Sequence, residues 1–212
     1  MSRIRKHSGR NSIILAIAVA AVGVIGSTAE AAPATNVATG HSARDSHTQI
    51  DVIGGRIQIS AGGSAVALET VGAWSGNSVL DTAVRSSTAS GPIVRTARGE
   101  LTESVEKGAD TAEQSWRLDH APDKPGALTI AVATSGLEFA GVTDTGLLLR
   151  RAGVTVDYGN GTWIDANGRA SAVPAHYDNG RILLTVPAKL IAESTYPAVL
   201  DPQIIVTPIT QP

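Results

Sequence analysis

Five histidines, nineteen carboxylates and no cysteine are what this 212-residue chain has for building a reactive centre. The lack of cysteine removes thiol catalysis, any disulfide framework and a lipoprotein anchor. Serine catalysis needs a placed serine, a base and an acid. Gly-x-Ser-x-Gly does not occur, and Ser64 in "SAGGSA" follows two glycines without the glycine required after it. His120 stands in a turn before Ala121-Pro122 and His176 in the short strand "VPAHYD", so a triad on either would be arbitrary. His41 and His47, six apart with Asp45 between them, are read as loose side chains of a polar leader and not as a metal pair.

Paired carboxylates could cleave glycosidic bonds, but the spacing that matters there is spatial. Glu100, Glu103, Glu106, Asp110 and Glu113 form an acidic cluster at mixed spacings, best explained as solvated strand faces. Trp74 and Trp163 are the candidates for a sugar-binding platform in a chain with few aromatics. Calcium prefers oxygen donors, and "DYGNGTWIDANG" offers Asp157, Asn160, Asp165 and Asn167. The 12-residue calcium loop with its closing glutamate is nonetheless absent, and tight turns use the same residue types for backbone reasons. Asn160-Gly-Thr matches the N-glycosylation acceptor. Gly159 and Gly161 lack the strand-to-helix context of a nucleotide loop. No catalytic residue, cofactor site or metal site is assigned.

The elements that would carry these residues have the two-residue period of strands. Ile57 and Ile59 point one way in "GRIQIS", as do Val66 and Leu68 in "SAVALETV". From Gly72 to Gly99 the pattern weakens into Gly/Ser-rich loops around short strands. "ELTESVEK" and "AEQSWRLD" resume it, with Trp116 and Leu118 sharing a face. "HAPDKPG" then turns into "ALTIAVATS", whose Leu128, Ile130 and Val132 face inward, and the two flanking strands are expected to pair antiparallel. The Asn-Gly pairs of "DANGR" and "DNGR" favour the left-handed backbone of tight hairpins. Only "PAKLIAES" reads as helical, a turn over 187–193 with Pro187 at its first position. The expected fold is all-β, an antiparallel sandwich of ten or more short strands over residues 50–207, with 208–212 as a tail.

Residues 1–31 read as a secretory signal. Arg3, Arg5, Lys6 and Arg10 precede an apolar stretch of 13 residues from Ile13 to Ile25, and small residues follow. A bilayer span needs about 20 apolar residues, so cleavage is expected, near Ala31. Residues 32–49 are small and polar and read as a disordered leader. Without the signal the chain keeps 13 of its 17 basic and 18 of its 19 acidic residues, a net charge of −5. That balance argues against nucleic acid or anionic lipid as a partner, and no membrane insertion is expected after cleavage.

A succession of stretches resembles a known module. "SVEKGADTAEQSWRLDHAP", "GALTIAVATSGLE", "GLLLRRAGVTVDYGNGTWIDANGRASAVPA" and "RILLTVPAKLIAESTYPAVLDPQI" occur in its order, and the last is similar to its closing Y-P-x-x-x-D-P signature. The chain thus resembles the β-rich N-terminal module of large secreted or surface bacterial proteins that precedes FG-GAP, Kelch-like or YD/Rhs-type repeats. The resemblance implies a non-catalytic cap or spacer, here alone or truncated, with no catalytic residues to carry over. In "STYPAVLDPQIIV", Pro197 and Pro202 each remove a donor, which fits a sheet edge or a domain exit better than a sheet centre. Tyr196, Val199 and Leu200 are expected to pack, Asp201 to serve as a turn acceptor, and the Tyr196-Pro197 bond is a candidate for cis geometry. The function expected is that of an exported structural or adhesive module that meets a cell-surface polymer or protein through a sheet edge. The alternatives are a carbohydrate-binding or carbohydrate-processing domain and a calcium-stabilised adhesion module.

Overall fold

A computed structural model describes residues 48–209. The segment read as a secretory signal, with the cleavage expected near Ala31, lies outside the described residues, as do His41, Asp45, His47 and all but the end of the expected leader. The strands begin with β1 (Gln49–Ile53), β2 (Arg56–Ala61), β3 (Ser64–Ser75), β4 (Ser78–Leu80), β5 (Val84–Ser90) and β6 (Ile93–Arg98). The middle of the chain holds β7 (Leu101–Lys107), β8 (Thr111–Leu118), β9 (Leu128–Ser135), β10 (Glu138–Val142) and β11 (Gly146–Arg151). There follow β12 (Val154–Ile164), β13 (Ala170–Val173), β14 (Ala175–Asp178), β15 (Arg181–Val186), the helix α1 (Ala188–Glu193) and β16 (Ala198–Pro208).

These strands form two antiparallel sheets packed as a β-sandwich. The smaller runs β1-β2-β3-β9-β15-β14, with β4 beside the far end of β3. The larger runs β10-β11-β12-β16-β8-β7-β6-β5, with β13 beside β12. One core lies between them, built almost wholly from aliphatic side chains around Trp116, Tyr158 and Trp163. The expected inward residues are there: Ile57, Ile59, Leu68, Leu128, Ile130 and Val132 are all at most 1 % exposed. Alternation works here because each sheet has one face on the core and one on solvent.

Four expectations need correction. The stretch from Gly72 to Gly99 is mostly strand, since β3 continues to Ser75 and β4, β5 and β6 follow with short connections. Its small side chains hide a strand that is exposed on both faces, because every residue of β5 is exposed. The strands flanking "HAPDKPG" do not pair with each other. β8 joins β7 and β16 in the larger sheet, while β9 joins β3 and β15 in the smaller. A proline-bearing connection of this length crosses between sheets, so the two apolar faces meet across the core.

The third correction concerns β16, which lies in the larger sheet between β12 and β8, away from either edge. Its prolines are accommodated by interruptions in the ladder. Pro202 sits opposite Gly161, next to a register shift on β12 between Tyr158 and Gly161. On the other side the pairing passes from Leu200↔Trp116 to Gln203↔Glu113, leaving Asp201 and Pro202 without a registered partner on β8. A missing amide is tolerated where no ladder bond is asked of it. The Tyr196-Pro197 bond is cis.

The fourth concerns the two Asn-Gly turns, which differ. Asn179 and Gly180 have φ of 47° and 78°, the left-handed pair of a tight hairpin joining β14 to β15. In the other turn only Gly168 is left-handed. That loop is wider, and Asp165 organises it. Helix α1 starts at Ala188, with Pro187 in the capping position just before it.

Candidate functional site

The proposed chemistry-bearing residues do not converge. The Ser64 hydroxyl, at the start of β3, donates to the Ala152 carbonyl. His120 follows β8 and His176 lies on the edge strand β14, both exposed. In the acidic cluster Glu100, Glu106, Asp110 and Glu113 are exposed, whereas Glu103 is buried. Glu106 and Glu113 stand directly opposite each other on β7 and β8. The calcium candidates are spread along β12 and its turn. The eight residue steps from Asp157 to Asp165 span roughly 25 Å of strand. Asn160 already accepts a bond from the Ala175 amide at 2.9 Å.

Asp165 is consumed by its own turn. Its Oδ1 accepts from the amides of Asn167 at 2.9 Å and Arg169 at 3.0 Å. Its Oδ2 accepts from Arg169 Nε at 2.7 Å and the Thr195 amide at 3.4 Å. Burial pushes the carboxyl up, but the bonds from Arg169, Thr195 and Asn167 prevail and hold it below the ordinary carboxylate range. Asn167 donates from its side-chain amide to Thr195 Oγ1 at 2.8 Å. Together these groups tie the β12–β13 turn to the segment after α1.

Glu103 is the residue that sequence misplaced. It stands at the centre of a polar seam between the sheets. Arg98 Nε donates to Glu103 Oε2 at 2.6 Å, with both side chains buried. Gln114 Nε2 and Thr70 Oγ1 donate to Glu103 Oε1 at 2.6 and 2.9 Å. Thr70 in turn accepts from the Trp116 indole at 3.0 Å, and the Tyr158 hydroxyl donates to Gln114 Oε1 at 2.9 Å. The rest of the Arg98 guanidinium reaches the carbonyls of Gly55, Thr82 and Thr70 at 2.6, 3.1 and 3.3 Å. Burial, and then the Glu103 carboxylate, push the Tyr158 phenol well above its ordinary pKa. The signal was available in the alternation itself. Glu103 is in phase with Leu101 and Val105, Arg98 with Val94 and Thr96, and Gln114 with Ala112 and Trp116.

Asp201 is not a turn acceptor. It projects from β16 on the side opposite Leu200 and Pro202, and its Oδ1 is buried without a hydrogen-bond partner. Burial, and then the Glu113 carboxylate, push its pKa up to about 6. Tyr196 and Leu200 do pack: Leu200 is fully buried, and Tyr196 stands edge-on to Trp163 at 6.5 Å. Val199 is half-buried. Trp163 is itself buried and donates to Ser194 Oγ at 2.8 Å, which removes it from the platform candidates.

Two outer features remain. A groove of about 390 Å³ lies on the outer face of the smaller sheet, lined by Trp74, Thr129 and Leu183 with Asp178, Asn179 and Arg181. It joins one tryptophan to one carboxylate, short of the acid pair that glycoside hydrolysis uses. The second feature is the edge of the larger sheet at β5. The strands at the other ends of the two sheets, β10, β14 and β1, each carry a protecting feature. Phe139 on β10 stacks at 4.7 Å on Tyr177 of β14, an aromatic contact that joins these two edges, and β10 is bulged. On β1, Asp51 pairs with Lys107 of β7 at 3.8 Å. From Ser86 to Ser90, β5 has no charge, no proline and no covering element among the described residues, and it pairs only with β6. Arg85, just before, is tied to Asp81. No family model matches the chain, and comparison with curated proteins finds no match either.

Proposed function

We propose that this chain is an exported, non-catalytic β-sandwich module of a bacterial surface or secreted protein, structural or adhesive in role, that holds an extended polypeptide along β5. The observation that carries this reading is the seven-residue edge strand with every side chain exposed. An unpaired strand edge presents a row of amide donors and carbonyl acceptors, and folded domains normally blunt such edges with charge, proline or cover. An incoming strand would draw affinity from main-chain hydrogen bonds, while the small side chains of Ser86, Ser87, Thr88 and Ala89 would leave both faces unobstructed. The basic and then apolar character of residues 1–31 supports export, and the Y-P-x-x-x-D-P signature supports the surface-protein family.

Adjacent proline substitutions test this. Amides alternate in direction along a strand, so one of Thr88→Pro and Ala89→Pro removes an outward donor and the other a bond to β6. Beads coated with the chain are expected to adhere to envelope fragments of the exporting cell. The outward variant is expected to keep its melting temperature and lose adhesion. No adhesion by the unmodified chain, or adhesion unchanged in both variants, would overturn the proposal.

A further inference from the structure

We infer that the groove at Trp74 is a binding subsite for a neutral sugar ring, one with equatorial substituents such as β-linked glucose or N-acetylglucosamine. The site lies on a different sheet from β5, so it stands or falls separately from the edge-binding proposal.

The seat of the indole is built into β3. A Cβ at Gly72 would lie 2.8 Å from Trp74 Cη2 and 3.0 Å from Cζ2, so the benzo half of the indole occupies the space left by the missing side chain. The ring is thereby laid against the sheet, and Ala131, opposite Gly72 on β9, is buried although it belongs to the solvent-facing phase. Trp74 itself remains half-exposed. Trp116 and Trp163 have no exposure at all. An indole held flat on a rigid strand offers an apolar face at little entropic cost, and the axial C–H face of an all-equatorial pyranose is flat enough to stack on it.

The polar groups around this face suit hydroxyls. Asp178, Asn179 and Arg181 come from the tight β14–β15 turn and Thr129 from β9, so donors and acceptors stand on elements fixed by the sheet. No described ion pair takes up Arg181, whose side chain is exposed. The Thr129 hydroxyl lies 3.0 Å from that of Thr185.

Other ligand classes fit less well. Trp74 pairs with Val79 of β4 on one side and Thr129 of β9 on the other, so the groove floor has no free strand edge for an extended peptide. A polyanion would meet one arginine beside one aspartate, in a chain of negative net charge. What remains is recognition by side chains alone, one aromatic face and a rim of mixed donors and acceptors, which is the pattern expected for a neutral polyol.

The test uses the full chain with soluble β-1,4-linked hexamers of glucose and of N-acetylglucosamine, read by calorimetry and by tryptophan emission. Because Trp74 is the only tryptophan with solvent exposure, a binding-dependent emission change reports on this site. At least one hexamer is expected to bind saturably. Trp74→Ala should abolish binding, and Arg181→Ala should weaken it about tenfold. Gly72→Ala, which displaces the indole while retaining it, should weaken binding with little change in melting temperature. Three outcomes would overturn the inference: no binding of either hexamer at millimolar concentration, equal binding by Trp74→Ala, or preference for a sulfated polysaccharide over both neutral hexamers.

Discussion

Glu103 receives three donors on two oxygens while the Arg98 guanidinium makes three further bonds to backbone carbonyls. Removing either partner leaves the other buried and uncompensated, so Glu103→Gln or Arg98→Met should cost about 3–5 kcal/mol in denaturant unfolding. The double variant should cost less than the sum of the two, because the orphaned charge is gone. Additive losses would mean that the pair is not coupled. Asp201 has the opposite sign. Its pKa of about 6 lies above the ordinary 3.8, so the folded state holds a proton that the unfolded chain has released between those values. Stability attributable to this group is therefore full below about pH 4 and falls as pH rises through 6. The shift corresponds to about 3 kcal/mol at 1.36 per unit, reduced to about 1 by the half-exposed setting. Asp201→Asn should raise the melting temperature at pH 8 and leave it unchanged at pH 3.5. A lowered melting temperature at pH 8 would refute this account.

At the scale of elements, the ends of the strands are as constrained as their middles. The β2–β3 and β11–β12 turns meet back to back. A Cβ at Gly62 would lie 1.9 Å from the Gly153 carbonyl oxygen, and one at Gly153 would lie 2.3 Å from that of Gly62. Both residues have left-handed φ, 54° and 84°. Gly153→Ala should therefore destabilise the chain by about 1–3 kcal/mol, combining an unfavourable backbone region with a backbone clash. Thermal unfolding measures it, and a neutral result would mean that the two turns can separate. Elements with one wet and one dry face were legible in sequence: β2, β9 and β15 show it, and the fold class follows from them. β5 was not legible, because a strand exposed on both faces has no apolar phase. The place of β16 is hidden in sequence because two prolines argue for an edge unless the neighbouring ladder is already broken, and register shifts leave no mark in composition. Of the site residues, Trp74 is legible in sequence, whereas its partners from the β14–β15 turn come together only through pairing across β9 and β15.

For the whole molecule, the two sheets are joined by an aliphatic core and by one polar seam that crosses it. Thr70 comes from the smaller sheet, and Arg98, Glu103, Gln114, Trp116 and Tyr158 from the larger. Unmade hydrogen bonds in such a place are costly, so sliding one sheet over the other is penalised in every direction, where an all-aliphatic interface would repack. The bonds are also polarised. The Trp116 indole N–H donates to Thr70, the Thr70 hydroxyl donates to Glu103, and the Gln114 amide donates to the same carboxylate. In heavy water this arrangement becomes a clock. The indole proton of Trp116 has no path to solvent while the sheets stay together, so its deuterium uptake should run at the pace of complete opening, with the half-exposed Trp74 as the fast reference in the same spectrum. Equal uptake at the two indoles would reveal that the seam breathes by itself.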